Sequence, residues 1–500
     1  MNTKLLRQKI LDLAIRGKLT DQRKSDGSTA DLLKQIVTER VSQNSLNRKK
    51  SIVPKSIIPI NKGDGPFEIP NNWEWVKLGD LSESIQYGYN APAKECGRIK
   101  MVRISDIHDN EVKWESVPFC DIEESEIQTY QLKKDDILFA RTGGTVGKSY
   151  IVNDIPEAAV YAGYLIRTRY SKNINAQFMK FFMESNLYWE QLRDGCIATA
   201  QPNCNGKTLG NMFIPLPPLE EQQRIVAKIE EVFAEIDAIE KNKELLKTHI
   251  KQTRQKILDL AIHGKLVPQD ENDEPASILL EKILQEKAQS DNKKSPKKKK
   301  TDDITTSDNR PYEKIENIPF EIPENWMWVR LPDICRSPIT DGTHNSPPNS
   351  GEGSYFYITA KNIKDSGIDL TNVSYVSKEI HDSIISRCRP EKGDVLLTKD
   401  GTIGNATVNN LDTTFSLLSS VALIKTHPKV SPWFIVFCLR SSYLQKLMKN
   451  DAKGTALKRV ILTQINDFAI PLPPSTEQTR IVSKIEELYS TLDQMEQNLI

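Results

Sequence analysis

The residues that come nearest to chemistry are Thr142-Gly-Gly-Thr-Val-Gly-Lys-Ser149, which end in the Gly-Lys-Ser of a phosphate-binding loop. Such a loop works by surrounding phosphate with backbone N–H groups and a lysine at the start of a helix. Here Thr142 stands where the first glycine belongs, the following SYIV is strand-like, and a related stretch, Asp400-Gly-Thr-Ile-Gly-Asn405, has no Lys-Ser. The expectation is a tight turn between strands, not a nucleotide site. Two Ile-Pro-Leu-Pro-Pro segments begin at Ile214 and Ile470. A Pro-Pro that grips a target amine needs Asn or Asp before it and an aromatic after it. Leu216 and Leu219 flank one pair, Leu472 and Ser475 the other. The cysteines Cys96, Cys120, Cys196, Cys204, Cys335, Cys388 and Cys438 form no Cys-x-x-Cys pair, and the six histidines add no ligand spacing. Reduced, mostly buried thiols are expected, with no metal site. No glycine-rich strand-to-helix turn suggests a methyl-donor cofactor, and no spaced carboxylates with lysine suggest a nuclease. The sequence therefore predicts no catalytic residue.

The elements that would have to position any site are duplicated. Leu6–Leu19, LRQKILDLAIRGKL, matches Thr253–Leu266, TRQKILDLAIHGKL, at 12 of 14 positions. IPLPPLEEQQRIVAKIEEVFAEID from Ile214 returns as IPLPPSTEQTRIVSKIEELYSTLD from Ile470. From Leu219 to Gly264 apolar residues recur at alternating spacings of four and three: Ile225, Ile229, Val232, Ile236, Ile239, Leu246, Ile250, Ile257 and Leu260. That is a heptad seam, with Lys243 and Thr253 as polar interruptions. Pro217 and Pro218 precede it, and Gly264 stands where a left-handed cap would end it. A rod of roughly 65 Å at 1.5 Å per residue is too long for the core of one domain. It needs a partner helix, and the repeats supply one in two pieces: Ile481, Ile485, Leu488, Leu492, Met495 and Leu499, continued by Leu6, Ile10 and Leu13. The expected arrangement is a closed pseudo-two-fold ring, with the termini end to end and antiparallel to the unbroken central helix.

Two further motifs recur. FEIPNNWEWVKLGDL from Phe67 answers FEIPENWMWVRLPDI from Phe320, and DDILFARTGGTVGKSYIV from Asp135 answers GDVLLTKDGTIGNATVN from Gly393. Short helical pieces, ADLLKQIVTERV from Ala30 and ASILLEKILQEKAQ from Ala276, precede polar linkers, the second carrying KKSPKKKK. That lysine run reads as a solvated tether. Alternating, β-branched segments such as YLIRTRY and YFYITAKNI predict sheet, and FMKFFMESNLYWEQL and PWFIVFCLRSSYLQKLM predict one amphipathic helix late in each module. The expected fold is α+β or α/β: two modules of mixed sheet plus helices, separated by a long antiparallel two-helix coiled coil. Its parts are 1–19, the distal half of the split helix; 20–66, a docking helix and linker; 67–218, the first module; 219–264, the central helix; 265–318, a docking helix and lysine-rich linker; 319–474, the second module; and 475–500, the proximal half of the split helix.

Basic and acidic residues nearly cancel, 68 against 67, whereas a free-standing DNA-binding protein is expected to be more basic. If DNA is the ligand, charge must be segregated or a partner must share the phosphate contacts. The absence of an apolar run of about 20 residues and of an apolar signal core predicts a cytoplasmic chain with no membrane contact.

With LDLAI(R/H)GKL, FEIP-x-NW-x-W, (D/G)D(I/V)L…G-T-(V/I)-G and IPLPP…EQ-x-RIV-x-KIEE in place, the sequence closely resembles the specificity subunit of type I restriction-modification systems along essentially its whole length. The resemblance implies a non-catalytic subunit with two target recognition domains. Each would read one half of an asymmetric bipartite target in double-stranded DNA. It also implies a coiled coil that sets the spacing and binds two methyltransferase subunits, with nuclease-motor (restriction) subunits as further partners. The methyltransferases would methylate adenine, with S-adenosylmethionine held by them and no cofactor in this chain.

Base-reading residues should differ between copies whose scaffold matches. The candidates in the first module are Tyr87, Tyr89, Asn90, Arg98, Lys100, Arg103, Arg141, Lys148, Gln201 and Asn203. In the second module, ITDGTHNSPP resembles a loop of one class of these domains. It points to Thr340, Asp341, Thr343 and His344, and Lys361, Asn362 and Lys399 join them. The partner-binding candidates are Arg224, Lys228, Glu231, Arg254, Arg480, Lys484, Glu487 and Arg7. The rival reading is a non-catalytic coiled-coil scaffold whose modules bind protein. Divergent loops on a repeated frame favour recognition of two different half-sites.

Overall fold

The computed structural model describes residues 2–46, 56–108, 110–195, 203–293, 315, 317–345, 347–351, 355–450 and 459–499. Two compact units emerge, Met1–Asn242 and Lys243–Ile500, with the boundary inside the long helix Leu219–Ile262. The duplicated sequence folds into duplicated structure, unit by unit.

In unit 1 the two repeated motifs at the ends of the module pair with each other. Glu74–Lys77 lies antiparallel to Phe213–Leu216, with Trp75 opposite Pro215 and Val76 opposite Ile214. Unit 2 repeats the ladder with Met327–Arg330 and Ala469–Leu472, Trp328 opposite Pro471 and Val329 opposite Ile470. This two-stranded gate closes each module where it leaves the helices. Trp73, Trp75, Val76, Ile214 and Leu216 are all buried in one core with Ile225 and Ile229 of the long helix.

Each module then carries an antiparallel four-stranded sheet. In the first its order is Ser82–Tyr87, Leu165–Tyr170, Ile137–Ala140, Ser149–Ile151. In the second it is Thr340–Asp341, Val421–Ile424, Val395–Thr398, Ala406–Val408. A three-stranded sheet with one parallel pairing accompanies each: Ile99–Val102 beside Ala159–Tyr161, and Tyr355–Ile358 beside Ser416–Leu417. The Gly-Lys-Ser stretch is a turn between adjacent antiparallel strands, with a short 3-10 turn at Gly143–Thr145 and Gly143 and Gly147 at positive φ. No helix follows it.

One expectation needs correction. The single late helix of each module is two helices, Ala176–Phe182 and Asn186–Gly195 in the first, Pro432–Arg440 and Ser442–Asn450 in the second. A serine makes each break. The Ser185 hydroxyl donates to the Phe182 carbonyl at 2.7 Å and accepts from the Tyr188 amide, capping the second helix as it ends the first. Ser441 likewise donates to the Cys438 carbonyl at 2.6 Å.

The helix pairs are antiparallel within each unit. In unit 1 Arg7 of helix Thr3–Ile15 meets Asp237 and Glu240, while Gln22 meets Glu221. In unit 2 Arg254 meets Asp493 and Glu496 of helix Ser475–Gln497, while Gln269 meets Glu477. Gly17 and Gly264 cap their helices at φ +67 and +64, and a Cβ at either would collide with Pro70 or Pro323. The apolar seam is buried at Ile225, Ile229, Ile236, Ile250 and Ile257, but Ile239 and Leu246 are 46% and 41% exposed. The continuous seam expected from the heptads is therefore interrupted mid-helix.

Among the described residues no helix is long and apolar enough to cross a membrane, and no cluster of three or more metal-ligating side chains occurs. Cys120, Cys204, Cys335, Cys388 and Cys438 are buried, and burial pushes the Cys335 thiol up to about 12. Cys196 and most of the lysine-rich linker lie outside the described residues.

Candidate nucleic-acid interface

In each module one end of the four-stranded sheet gathers four loops. In the first, the Tyr87 strand pairs with Ile166, so the chain after it reaches the turn at residues 162–164: Gly88 N donates to the Leu165 carbonyl and Tyr89 N to the Tyr161 carbonyl at 2.8 Å. Arg141 N donates to the Tyr164 carbonyl, and Cys204 N to the Arg141 carbonyl. Thr142 bridges Asn203. Gly206 N donates to the Tyr87 hydroxyl at 2.9 Å.

The second module repeats this backbone pattern. Asp341 pairs with Ala422, Thr343 N donates to the Leu417 carbonyl, and Lys399 N to the Ser420 carbonyl. Val460 N donates to the Lys399 carbonyl, and Asp400 bridges Arg459. Close packing requires glycine after the first strand in both modules, because a Cβ at Gly88 or Gly342 would overlap backbone carbonyls of the neighbouring turn. By these shared hydrogen bonds Tyr87 corresponds to Asp341, Tyr89 to Thr343, Arg141 to Lys399, Tyr164 to Ser420 and Asn203 to Arg459.

The side chains on that common backbone differ. The Arg141 guanidinium lies 4.7 Å from the Tyr87 ring centre. At the same two places Lys399 and Asp341 form an ion pair at 3.3 Å, with side chains 7% and 3% exposed. Asp341 also meets Arg387 at 3.4 Å and His344 at 3.6 Å, and Arg387 donates to the Gly342 carbonyl. One buried carboxylate thus collects three basic side chains, two of them largely exposed.

The structure brings Tyr87, Tyr89, Asn90, Arg141, Lys148 and Asn203 to this end of the first sheet, and Asp341, Thr343, His344 and Lys399 to that of the second. The Tyr89 ring packs 5.2 Å from Tyr130, and desolvation raises its phenol pKa. Gln201 lies outside the described residues. Other candidates sit elsewhere, and all of them but the exposed Lys361 are shown with partners within the fold. Arg98 pairs with Glu124 at 3.2 Å, and Lys100 reaches the Trp114 carbonyl and Glu157. Arg103 clasps Asp106, whose carboxylate raises the guanidinium pKa. Asn362 is buried and caps the turn at Thr359, while Lys361 beside it is exposed. Thr340 faces Cys388. Tyr164, Arg387 and Arg459 escaped the sequence reading, since only the tertiary hydrogen bonds bring them to the cluster.

On the helices, four partner-face candidates are held inside their own unit. Arg224 grips Asp26 at 2.6 and 2.7 Å, and Arg480 grips Asp273. Arg7 and Arg254 reach the acidic pairs named above and lie over Phe233 and Tyr489. Lys228–Glu231 and Lys484–Glu487 form exposed pairs one turn apart.

Two modules with a shared frame and different loop side chains define a two-part recognition protein. Residues 70–248 and 323–500 match the family model described as the type I restriction modification DNA specificity domain. The chain belongs to that family and is a DNA sequence-recognition subunit of a type I restriction-modification complex, acting on DNA together with other subunits. It is 26% identical to the type I restriction enzyme EcoAI specificity subunit of Escherichia coli over 98% of this chain and 90% of that protein. It is also 26% identical to the EcoEI specificity subunit over 99% and 90%. Among solved structures, the HsdS subunit from Thermoanaerobacter tengcongensis shares the fold with a TM-score of 0.50 at 19% identity, covering 87% of this chain and 92% of that one. A chain from a structure of type I R-M complex assembly and conformational transition gives 0.52 at 18% identity, covering 87% and 94%.

Proposed function

We propose that each module reads one half of an asymmetric bipartite target, and that the chain directs two methyltransferase subunits, bound through its helices, to adenines there. The observation that carries this is the loop cluster: its backbone hydrogen bonds repeat between modules while its side chains do not. Reading two different half-sites requires that combination, because hydrogen-bond patterns on base edges specify sequence and a common frame specifies placement. A protein-binding scaffold has little reason to keep the frame and replace the loops. Lys228, Glu231, Lys484 and Glu487 are the exposed helix residues best placed to meet the methyltransferases. The methyl donor, S-adenosylmethionine, belongs to those partners in this reading. Nuclease-motor subunits complete a restricting complex.

The test is a single-molecule map of adenine methylation in cells expressing the chain with its methyltransferase, against cells expressing the methyltransferase alone. A two-part motif that depends on this chain is expected, and replacing residues 320–470 should change one half only. A complex that forms without any such motif would favour the scaffold reading.

A further inference from the structure

Tyr164 is 65% exposed, in the turn between Ala159–Tyr161 and Leu165–Tyr170. That turn is held at its own backbone: the Leu165 amide donates to the Ala162 carbonyl at 2.9 Å, and the Tyr164 carbonyl accepts from Arg141 N. The phenol ring is not needed to build it. In the second module Ser420 holds the corresponding place, is buried, and accepts from Ala360 N through its hydroxyl at 3.1 Å. The same backbone position thus serves packing in one module and presents a large aromatic to solvent in the other.

Arg459 shows the converse. It bridges Asp400 as Asn203 bridges Thr142, and both Asn203 and Arg459 are exposed. A short amide in the first module is replaced by a guanidinium with five N–H donors in a fixed fork.

We propose that Tyr164 and Arg459 are specificity-determining residues, one for each half of the DNA target. The proposal rests on the reading of the modules as half-site readers and deepens it. Tyr164 offers a base edge both an apolar ring face, suited to a thymine methyl, and a hydroxyl. It stands beside Arg141, whose guanidinium lies over Tyr87. Arg459 offers the paired donors that match guanine O6 and N7. In its module the ammonium of Lys399 is sunk against Asp341, and among the described residues Arg459, His344 and Arg387 are exposed basic groups of the cluster. At the two compared positions the modules thereby present different chemistry on one backbone: an exposed phenol and an amide, beside Arg141 and Lys148, in the first, and a buried hydroxyl and an exposed guanidinium in the second.

The experiment exchanges each residue for its counterpart, Tyr164→Ser and Arg459→Asn, in the complex with methyltransferase. It measures binding to the cognate target and to a panel in which each base pair of either half is substituted. The expected result is a loss of about tenfold in discrimination at one or two positions of the affected half, with the other half unchanged. The two variants should affect opposite halves. Unchanged discrimination in both halves overturns the proposal. So does an equal loss of affinity for every sequence, which is the signature of a phosphate contact. Tyr164→Phe, which keeps the ring, and matching thermal unfolding of all variants guard against a folding effect. A wild-type complex that shows no bipartite preference would sink the half-site reading itself, whereas a bipartite wild type with indifferent variants sinks only the residue assignment.

Discussion

The Arg141 guanidinium rests 4.7 Å from the centre of the Tyr87 ring, and at the same two backbone positions of the second module Lys399 and Asp341 are ion-paired at 3.3 Å. A cation over an aromatic and a buried ion pair thus occupy the same two places at the end of the sheet, but they fail differently. Asp341→Asn leaves the nearly buried Lys399 facing only Asp400 at 3.9 Å, and should destabilise unit 2 by about 3 kcal/mol. Tyr87→Phe keeps the ring under Arg141 and removes the acceptor of Gly206 N, for about 1 kcal/mol. Thermal unfolding of the two variants checks the ranking, and equal losses would contradict it.

The gate motif predicts a second, duplicated sensitivity. The indole N–H of Trp73 donates to Glu221 and that of Trp326 to Glu477, each at 2.8 Å, with both carboxylates buried. Burial raises both carboxyl pKa values above their ordinary range. A carboxyl whose folded-state pKa exceeds its unfolded value favours the protonated form, so it costs stability as pH rises from the unfolded value through the folded one. Trp73→Phe or Trp326→Phe removes a donor to the charged form and raises that pKa further. Each should cost about 2 kcal/mol at neutral pH, a drop in Tm of about 5 °C, and less below pH 4.5. A penalty independent of pH would show that the indole acts through packing alone.

Acid should act in the opposite sense through the clasps beside them. The Arg224 guanidinium, hydrogen-bonded to Asp26, and that of Arg480, hydrogen-bonded to Asp273, hold these carboxyls below the usual carboxylate range. Each clasp contributes stability that is present above the unfolded pKa near 3.8 and is lost as pH falls through the lowered folded value. Asp26→Asn and Asp273→Asn should each cost about 2 kcal/mol at pH 7, with the difference from wild type vanishing in strong acid. Urea unfolding at a series of pH values tests this.

The helix pairs should loosen independently. Arg7→Ala is expected to speed hydrogen exchange in Thr3–Ile15, and Arg254→Ala in Ser475–Gln497, since each arginine joins an ion pair to an aromatic contact across its own pair. Lys228→Ala and Lys484→Ala break only exposed pairs within one helix and should leave exchange in the free chain unchanged. If they weaken capture of the methyltransferase all the same, they mark its docking face.

Much of this architecture was legible because its signals are local or repeated. The heptads, the glycine cap at 264, and the paired Trp and Ile-Pro-Leu-Pro-Pro motifs each act over a few residues, and duplication repeated them. The serine breaks at Ser185 and Ser441 were not legible. Amphipathic spacing continues across them, and a hydroxyl that turns back to the carbonyl three residues earlier leaves no mark on hydrophobic periodicity. The exposed middle of the seam at Ile239 and Leu246 escaped for another reason: a heptad records which face is apolar, not how far the covering helix extends.

The recognition surface divides in the same way. Chain order and repeated motifs already point to two modules on one frame and to a tight turn at the Gly-Lys-Ser stretch, because turn chemistry and strand alternation are short-range properties. Only tertiary structure decides which polar residues face a ligand. Lys399 and Asn362 look like surface residues in the sequence, yet one is sunk against Asp341 and the other caps a turn. Tyr164 and Arg459 reach the cluster through backbone pairing between loops far apart in the chain. Such pairing depends on sheet register, a long-range property that no window of sequence contains.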